Sequence, residues 1–201
     1  MPEDRPYHHG NLREALLDAA IRLIAKVGPA GFTLREVARR AGVSHNAPYR
    51  HFRDKDELLA AVGTQGFREL KQAMLRAAES QTTSLDRLRR SGRAYVSFAL
   101  RRPEHFTVMF DAPISKAANP EYNEAGQQAF ATLVSFIEMC QREGRLPPGD
   151  PLPPALVAWS LVHGIAKLAV AGRFPFRSKA DVLKFAERAI DGFLPALAHA
   201  E

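Results

Sequence analysis

Residues 33 to 55 concentrate side chains suited to nucleic-acid chemistry. Arg35 carries a guanidinium that fits the O6/N7 edge of guanine or a phosphate, and Asn46 has the amide geometry that matches adenine. His45 falls where it can meet a base or a phosphate. Thr33, Ser44, Tyr49 and His51 can donate to phosphate oxygens, with the cation of Arg50 beside them. Lys55 sits where the next helix begins, and free backbone N–H groups there favour phosphate too. The plain alternative is a helical hairpin with a solvated polar face. Enzyme chemistry is poorly supplied. There is no G-x-S-x-G elbow, no G-x-G-x-x-G or P-loop, and no H-E-x-x-H. His8-His9 could ligate a metal, but phosphate contact by this arm is the better expectation, so neither metal nor cofactor is expected. Cys140 is the single cysteine and falls on an apolar helix face. Alone it forms no intrachain disulfide or multi-cysteine zinc site, and packing is its expected role.

The elements that must position these groups are helices. Leu12, Leu16, Ala20, Leu23 and Val27 recur at helical steps until Gly28-Pro29. Leu34, Val37, Ala38 and Ala41 repeat the pattern, with Thr33 and Glu36 as a capping box and Gly42 as a left-handed cap. A tight turn follows, and Ser44 can cap a second short helix. That is helix-turn-helix architecture, whose second helix is sized for the DNA major groove. Val43 can pack between the pair, and Phe52, Leu58 and Leu59 anchor it to a long helix from Asp54 to about Gln81. Further helices are expected over 84–101, from Pro103 to about Phe110, over Pro120–Arg145, 154–172 and 178–198. The prolines between Leu146 and Pro154 are punctuation. The chain reads as all-α, with about nine helices. Residues 1–58 form the DNA-binding head and 59–201 a helical bundle.

Composition agrees. The 201 residues are 46% apolar and 25% charged, with formal net charge +6, ordinary for a globular protein able to bury a core. Residues 59–102 carry 9 Lys/Arg against 3 Asp/Glu, whereas residues 103–201 carry 9 against 11. The positive excess attracts polyanions or reflects solvated helix faces. No uncharged apolar stretch reaches the roughly 18–20 residues of a membrane span, and Met1–Pro6 has no secretory apolar run, so a cytoplasmic protein is expected.

The segment Tyr7–Val62 resembles the N-terminal domain of TetR/AcrR-family transcriptional regulators. The resemblance rests on Ala15-Leu16-Leu17-Asp18-Ala19-Ala20, Thr33 to Ala38, Ala41-Gly42-Val43-Ser44, Tyr49-Arg50-His51-Phe52 and Lys55 to Leu59. It implies a three-helix DNA-binding head, a helical ligand-binding and dimerisation domain, and repression released by a small molecule. The chain departs from the family at Asn46-Ala47-Pro48, where relatives often have a hydroxyl residue. Ala47 therefore has no donor for DNA, and Pro48 displaces a helical bond. Farther on, Gly144-Arg145-Leu146, Asp150-Pro151 and Trp159 to Gly164 resemble a WHG-type C-terminal domain. Asp150-Pro151 suits an N-cap and first helical position. Trp159 and His163 share one helix face, filling core space or meeting a ligand.

Phe67, Leu70, Met74, Tyr95, Phe98, Phe106, Met109, Phe110, Phe130 and Trp159 either fill the bundle or line an apolar cavity. With the resemblance they imply a lipophilic or aromatic effector, for which Tyr95 or His163 is a polar handle. Leu161, Ile165 and Leu168 on the penultimate helix, with Val182, Phe185, Ala189 and Phe193 on the last, pack within one chain or form a homodimer interface. A dimer would present two recognition helices to a pseudo-palindromic operator in double-stranded DNA. The alternative regulator has no small-molecule effector and is governed by a partner protein or its own abundance.

Overall fold

The computed structural model describes residues 12–198, all-helical, with eight α-helices and one turn of 3₁₀ helix. The helices are α1 (Leu12–Val27), α2 (Leu34–Ala41), α3 (Lys55–Glu79), α4 (Ser84–Arg101), α5 (Pro103–Asp111), α6 (Pro120–Arg142), α7 (Leu152–Val170) and α8 (Lys179–Ala198). The 3₁₀ turn is Ala47–Arg50. Tyr7 and His8-His9 lie outside the described residues.

Local chemistry explains most boundaries. The Thr33 hydroxyl accepts the Glu36 N–H at 3.3 Å, and the Glu36 carboxylate accepts the Thr33 N–H at 2.8 Å, closing the capping box. Gly42 ends α2 at φ 71°, where a side chain would be strained. The Asp54 carboxylate caps α3 through the Glu57 N–H at 2.8 Å. α7 begins two residues before its expected start, because Pro153 and Pro154 fall in its first turn, where no N–H needs a helical partner. Its cap is also shifted by one: Pro151 occupies the cap position, and the preceding Asp150 accepts the Leu152 N–H at 2.9 Å.

The expected second helix of the helix-turn-helix is instead a single 3₁₀ turn. Pro48 has no N–H to give the Ser44 carbonyl. That carbonyl accepts Ala47 N–H at 3.0 Å, and Tyr49 N–H goes to Asn46 at 3.3 Å, both three-residue bonds. No side-chain cap opens the turn, so Ser44 does not act as its N-cap. The buried Pro48 ring and Phe52 fasten the turn to the head.

Two apolar cores share the long α3. Leu58, Leu59 and Val62 join Leu16, Ile24, Phe32, Val37 and Phe52 in the head. Farther along, Phe67, Leu70 and Met74 join the bundle, where α4 packs against α3, α5, α6, α7 and α8. α5 serves both cores, placing Val108 in the head and Phe106 and Met109 in the bundle. By length and composition α7 could cross a membrane, although Lys167 interrupts it; 22% of its apolar 18-residue window is buried within the protomer.

Candidate DNA-binding face and ligand cavity

The capping box and the 3₁₀ turn leave one side of the head polar. Arg35, Ser44, His45, Asn46, Tyr49, Arg50 and His51 are all exposed, and their side chains have no hydrogen-bond or ion-pair partner among the described residues. Tyr49 is 52% exposed, a large fraction for an aromatic ring in a folded head. Arg39 and Arg40, at the end of α2, are exposed as well; their place in a basic last turn was visible in the sequence.

Two expected phosphate donors have other work. The Thr33 hydroxyl donates its one proton to the Glu36 carboxylate at 3.0 Å, leaving none for a phosphate. The Thr33 backbone N–H, seconded by the hydroxyl, holds the Glu36 carboxyl below its ordinary pKa. The Lys55 ammonium donates to the Ala30 carbonyl at 2.8 Å and lies 4.5 Å from the Phe32 ring centroid. Burial lowers its pKa, opposed by nearby Glu36. One of its three N–H groups is committed, which leaves two for an anion.

The bundle encloses a cavity of about 350 Å³. Of the residues expected to line it, Phe67, Leu70, Met74, Tyr95, Met109, Phe110, Phe130 and Trp159 do so. Phe98 and Phe106 do not: at 2% and 1% exposure they pack behind the wall as core. His163 also stands one layer back. Its Nδ1 is 2.8 Å from the Tyr95 hydroxyl, which accepts the Trp159 indole N–H at 3.3 Å. Burial lowers the His163 pKa, helped by Lys167, and burial raises that of Tyr95. Both are neutral at neutral pH.

Other lining residues were missed. Asn123, Gly126 and Gln127 face the cavity from α6 at helical spacing from the expected Phe130, and that stripe was legible. Leu156 and Val162 flank Trp159 at three-residue steps on α7 and were legible in the same way, whereas Lys116, in a connection, carried no such signal. Lys116 is the one charged residue in the lining, and its ammonium has no partner among the described residues. Gly66 lets α5 approach α3, since a Cβ there would lie 2.5 Å from Met109 Sδ.

The residues expected at a dimer seam divide into two groups. Ile165 and Val182 are buried inside the protomer, so neither is available at its surface. The inward stripe of α8 runs Val182, Ala186, Ile190, Leu194, rotated one position from the expected row. Leu161, Phe185, Ala189 and Phe193 are half-buried. Leu168 is 47% exposed, in company with Leu152, Leu156 and Val157 of α7.

Comparison with known proteins places both halves. Residues 16–62 match the family described as bacterial regulatory proteins, tetR family, and residues 88–193 match the tetracyclin repressor-like C-terminal domain. A protein of unknown function from Rhodococcus sp. RHA1 is 38% identical, with TM-score 0.82 over 98% of this chain and 100% of that one. A tetR-family regulatory protein from Rhodococcus RHA1 is 23% identical, with TM-score 0.77 over 94% and 98%. The transcriptional regulator FadR from Bacillus subtilis, in complex with stearoyl-CoA, has the same fold at 15% identity, with TM-score 0.77 over 94% and 99%.

Proposed function

The chain belongs to the TetR family of DNA-binding transcriptional regulators, not to an enzyme class, and on that premise we propose a homodimeric repressor released from its operator by an apolar effector. The observation that carries this reading is the cavity, walled by aromatic and methionine side chains with Lys116 as its single charge. Such a space favours a lipophilic or aromatic molecule, with any anionic end at Lys116. The B. subtilis regulator is in complex with stearoyl-CoA, whose stearoyl part is an apolar chain of this kind. An open cavity also supports sensing over control by a partner protein or by abundance.

The proposed DNA set is Arg35, Ser44, His45, Asn46, Tyr49, Arg50 and His51, with Lys55 assisting. Arg35 and Asn46 read base edges, and the others hold phosphates. The outer rows of α7 and α8, with Leu161, Leu168, Phe185, Ala189 and Phe193, form the seam that pairs two heads on a pseudo-palindrome. An apolar α7 largely unburied within its own protomer supports that seam. Coupling runs through α5, where Val108 enters the head core beside Met109 and Phe110 at the cavity. A ligand that displaces the last two shifts Val108, and a coupling of about 1–3 kcal/mol changes operator affinity about 5–150-fold.

The test begins with random-oligonucleotide selection to obtain the operator. Its affinity is then titrated with decanoate, decanol and aryl carboxylates, while Trp159, the one tryptophan, reports cavity occupancy by fluorescence. Ligands that change Trp159 emission should weaken operator binding. Occupancy without any change in operator affinity would refute effector control.

A further inference from the structure

The positive excess over residues 59–102 is not used by the DNA face or the cavity. Several of its arginines have partners: Arg68 pairs with Glu121 at 2.6 Å, Arg89 with Asp191 at 2.6 Å and Arg102 with Glu69 at 3.1 Å. Four others, Arg76, Arg90, Arg93 and Arg101, line one recess of about 280 Å³ between α3 and α4. Small residues, Ala73, Ala77, Ala94 and Ser97, complete its lining. The charge there is poorly compensated. Glu187 of α8 is shared by Arg90 at 3.8 Å and Arg93 at 3.9 Å, both at the outer limit of an ion pair. Arg101 makes a long 3.4 Å bond to the Ser97 carbonyl, and Arg76 has no ion-pair partner among the described residues. The Arg93 Nε makes no hydrogen bond among the described residues and reaches only Glu187, at 3.9 Å, with 40% of its side chain exposed. An anion in the recess would supply the hydrogen bonds that Glu187 is too far away to accept.

We infer that this recess is a binding site for a compact polyphosphate anion. Guanidinium forks match phosphate oxygens in pairs, and four around so small a volume call for a multivalent anion, since one carboxylate would leave most of the charge uncompensated. The site is separate from the cavity: Ser91 and Tyr95 face the cavity from α4, whereas Arg90, Arg93, Ala94, Ser97 and Arg101 face the recess. It is also separate from the operator face. Along α3, Arg76 stands about 30 Å from Lys55. A concave recess holds a small ligand, whereas a major groove about 12 Å wide is entered by an element that projects.

The test is calorimetric titration of the full chain with sodium tripolyphosphate, with inorganic phosphate for comparison, at about 0.15 M salt. Tripolyphosphate should fill one site per protomer and bind at least about tenfold more tightly than phosphate. Arg93→Ala and Arg76→Ala should each weaken it several-fold, and Arg142→Ala, on α6, should not. Arg93 also faces α8, so the exposed Arg76 gives the variant that leaves the helix packing alone. ATP binding more tightly than tripolyphosphate would extend the site to a nucleotide, and equal affinity would confine it to the phosphate chain. No saturable binding, equal affinity for phosphate, or loss in Arg50→Ala with retention in Arg76→Ala would overturn the inference. So would displacement of tripolyphosphate by a non-specific DNA duplex.

Discussion

The head and the bundle are built from the same kind of element and differ in how completely they close their apolar cores. In the head, Phe32 and Phe52 are sealed in a core with Leu16, Val37, Leu58 and Val62, and the polar groups face outward. In the bundle, Phe110, Phe130 and Trp159 are half-buried around an open space. One functional surface is carried on a complete core; the other exists because a core was left incomplete. Truncating Phe52 and truncating Phe130 should therefore have unequal costs. Phe52→Ala removes a ring that is 2% exposed and should cost about 3–5 kcal/mol, with loss of operator binding. Phe130→Ala enlarges a space that is already there and should cost only about 1 kcal/mol, while changing which ligands alter Trp159 emission. Chemical unfolding of both variants checks this, and equal costs would break the comparison.

The same contrast explains what was legible in the sequence. The head announces itself through local rules: Thr33 with Glu36, the left-handed Gly42 and the spacing of Leu34, Val37 and Ala38 each act within one or two turns. The second helix expected there is a 3₁₀ turn, because Pro48 lacks the N–H that a helical bond to Ser44 needs, and Thr33 and Lys55, expected at phosphates, bond within the head. In the bundle, helix spans were legible to within a few residues, but the side of the wall on which an aromatic residue falls was not. Phe98 and Phe110 are equally apolar and both lie on helices, yet only Phe110 meets the cavity. That depends on the rotation of α4 and α5 against α3, which is set by long-range packing such as Met109 over Gly66. Lys116 lies in a connection, where no periodicity signals a direction.

Acid should separate the regions next. His105 on α5 is 1% exposed, neither ring nitrogen has a partner among the described residues, and burial lowers its pKa, helped by Arg102 and opposed by Glu69 and Glu104. His163 in the bundle is lowered as well. Both stay neutral in the fold after the unfolded chain has begun to take protons near the ordinary value of 6.5. Stability should therefore fall as pH drops below 6.5 and level off beneath the folded-state pKa values, by at most about 1.4 kcal/mol per pH unit for each histidine. His105→Leu should flatten that slope without destabilising the protein at neutral pH. An unchanged slope in melts from about pH 7.5 to 5.5 would remove His105 from the account.

Within the head, Thr33→Ala tests the division between capping and DNA contact. Because the hydroxyl serves Glu36, the expected cost is about 1 kcal/mol of head stability. Operator affinity at fixed salt should not change at temperatures where the head stays folded. Weaker operator binding with unaltered stability would return Thr33 to the phosphate set.

The smallest effect concerns two cations on the same head. Arg50 is exposed and has no partner among the described residues, whereas Lys55 is bonded to Ala30 and covered on one side by Phe32. Arg50→Ala should leave the melting temperature unchanged and lower the slope of log affinity against log salt by about one unit, as expected for one lost phosphate contact. Lys55→Ala should do less to the slope, since its ammonium is already held in place by the protein. It should instead cost a few tenths to about 1 kcal/mol of stability, because its partly exposed bond and ring contact are screened by water. Operator titrations at several salt concentrations, read beside thermal melts, separate the two roles. If Lys55→Ala lowered the slope by a full unit at constant stability, the two N–H groups left free beside Ala30 would be holding a phosphate, and the start of α3 would belong to the operator face in full.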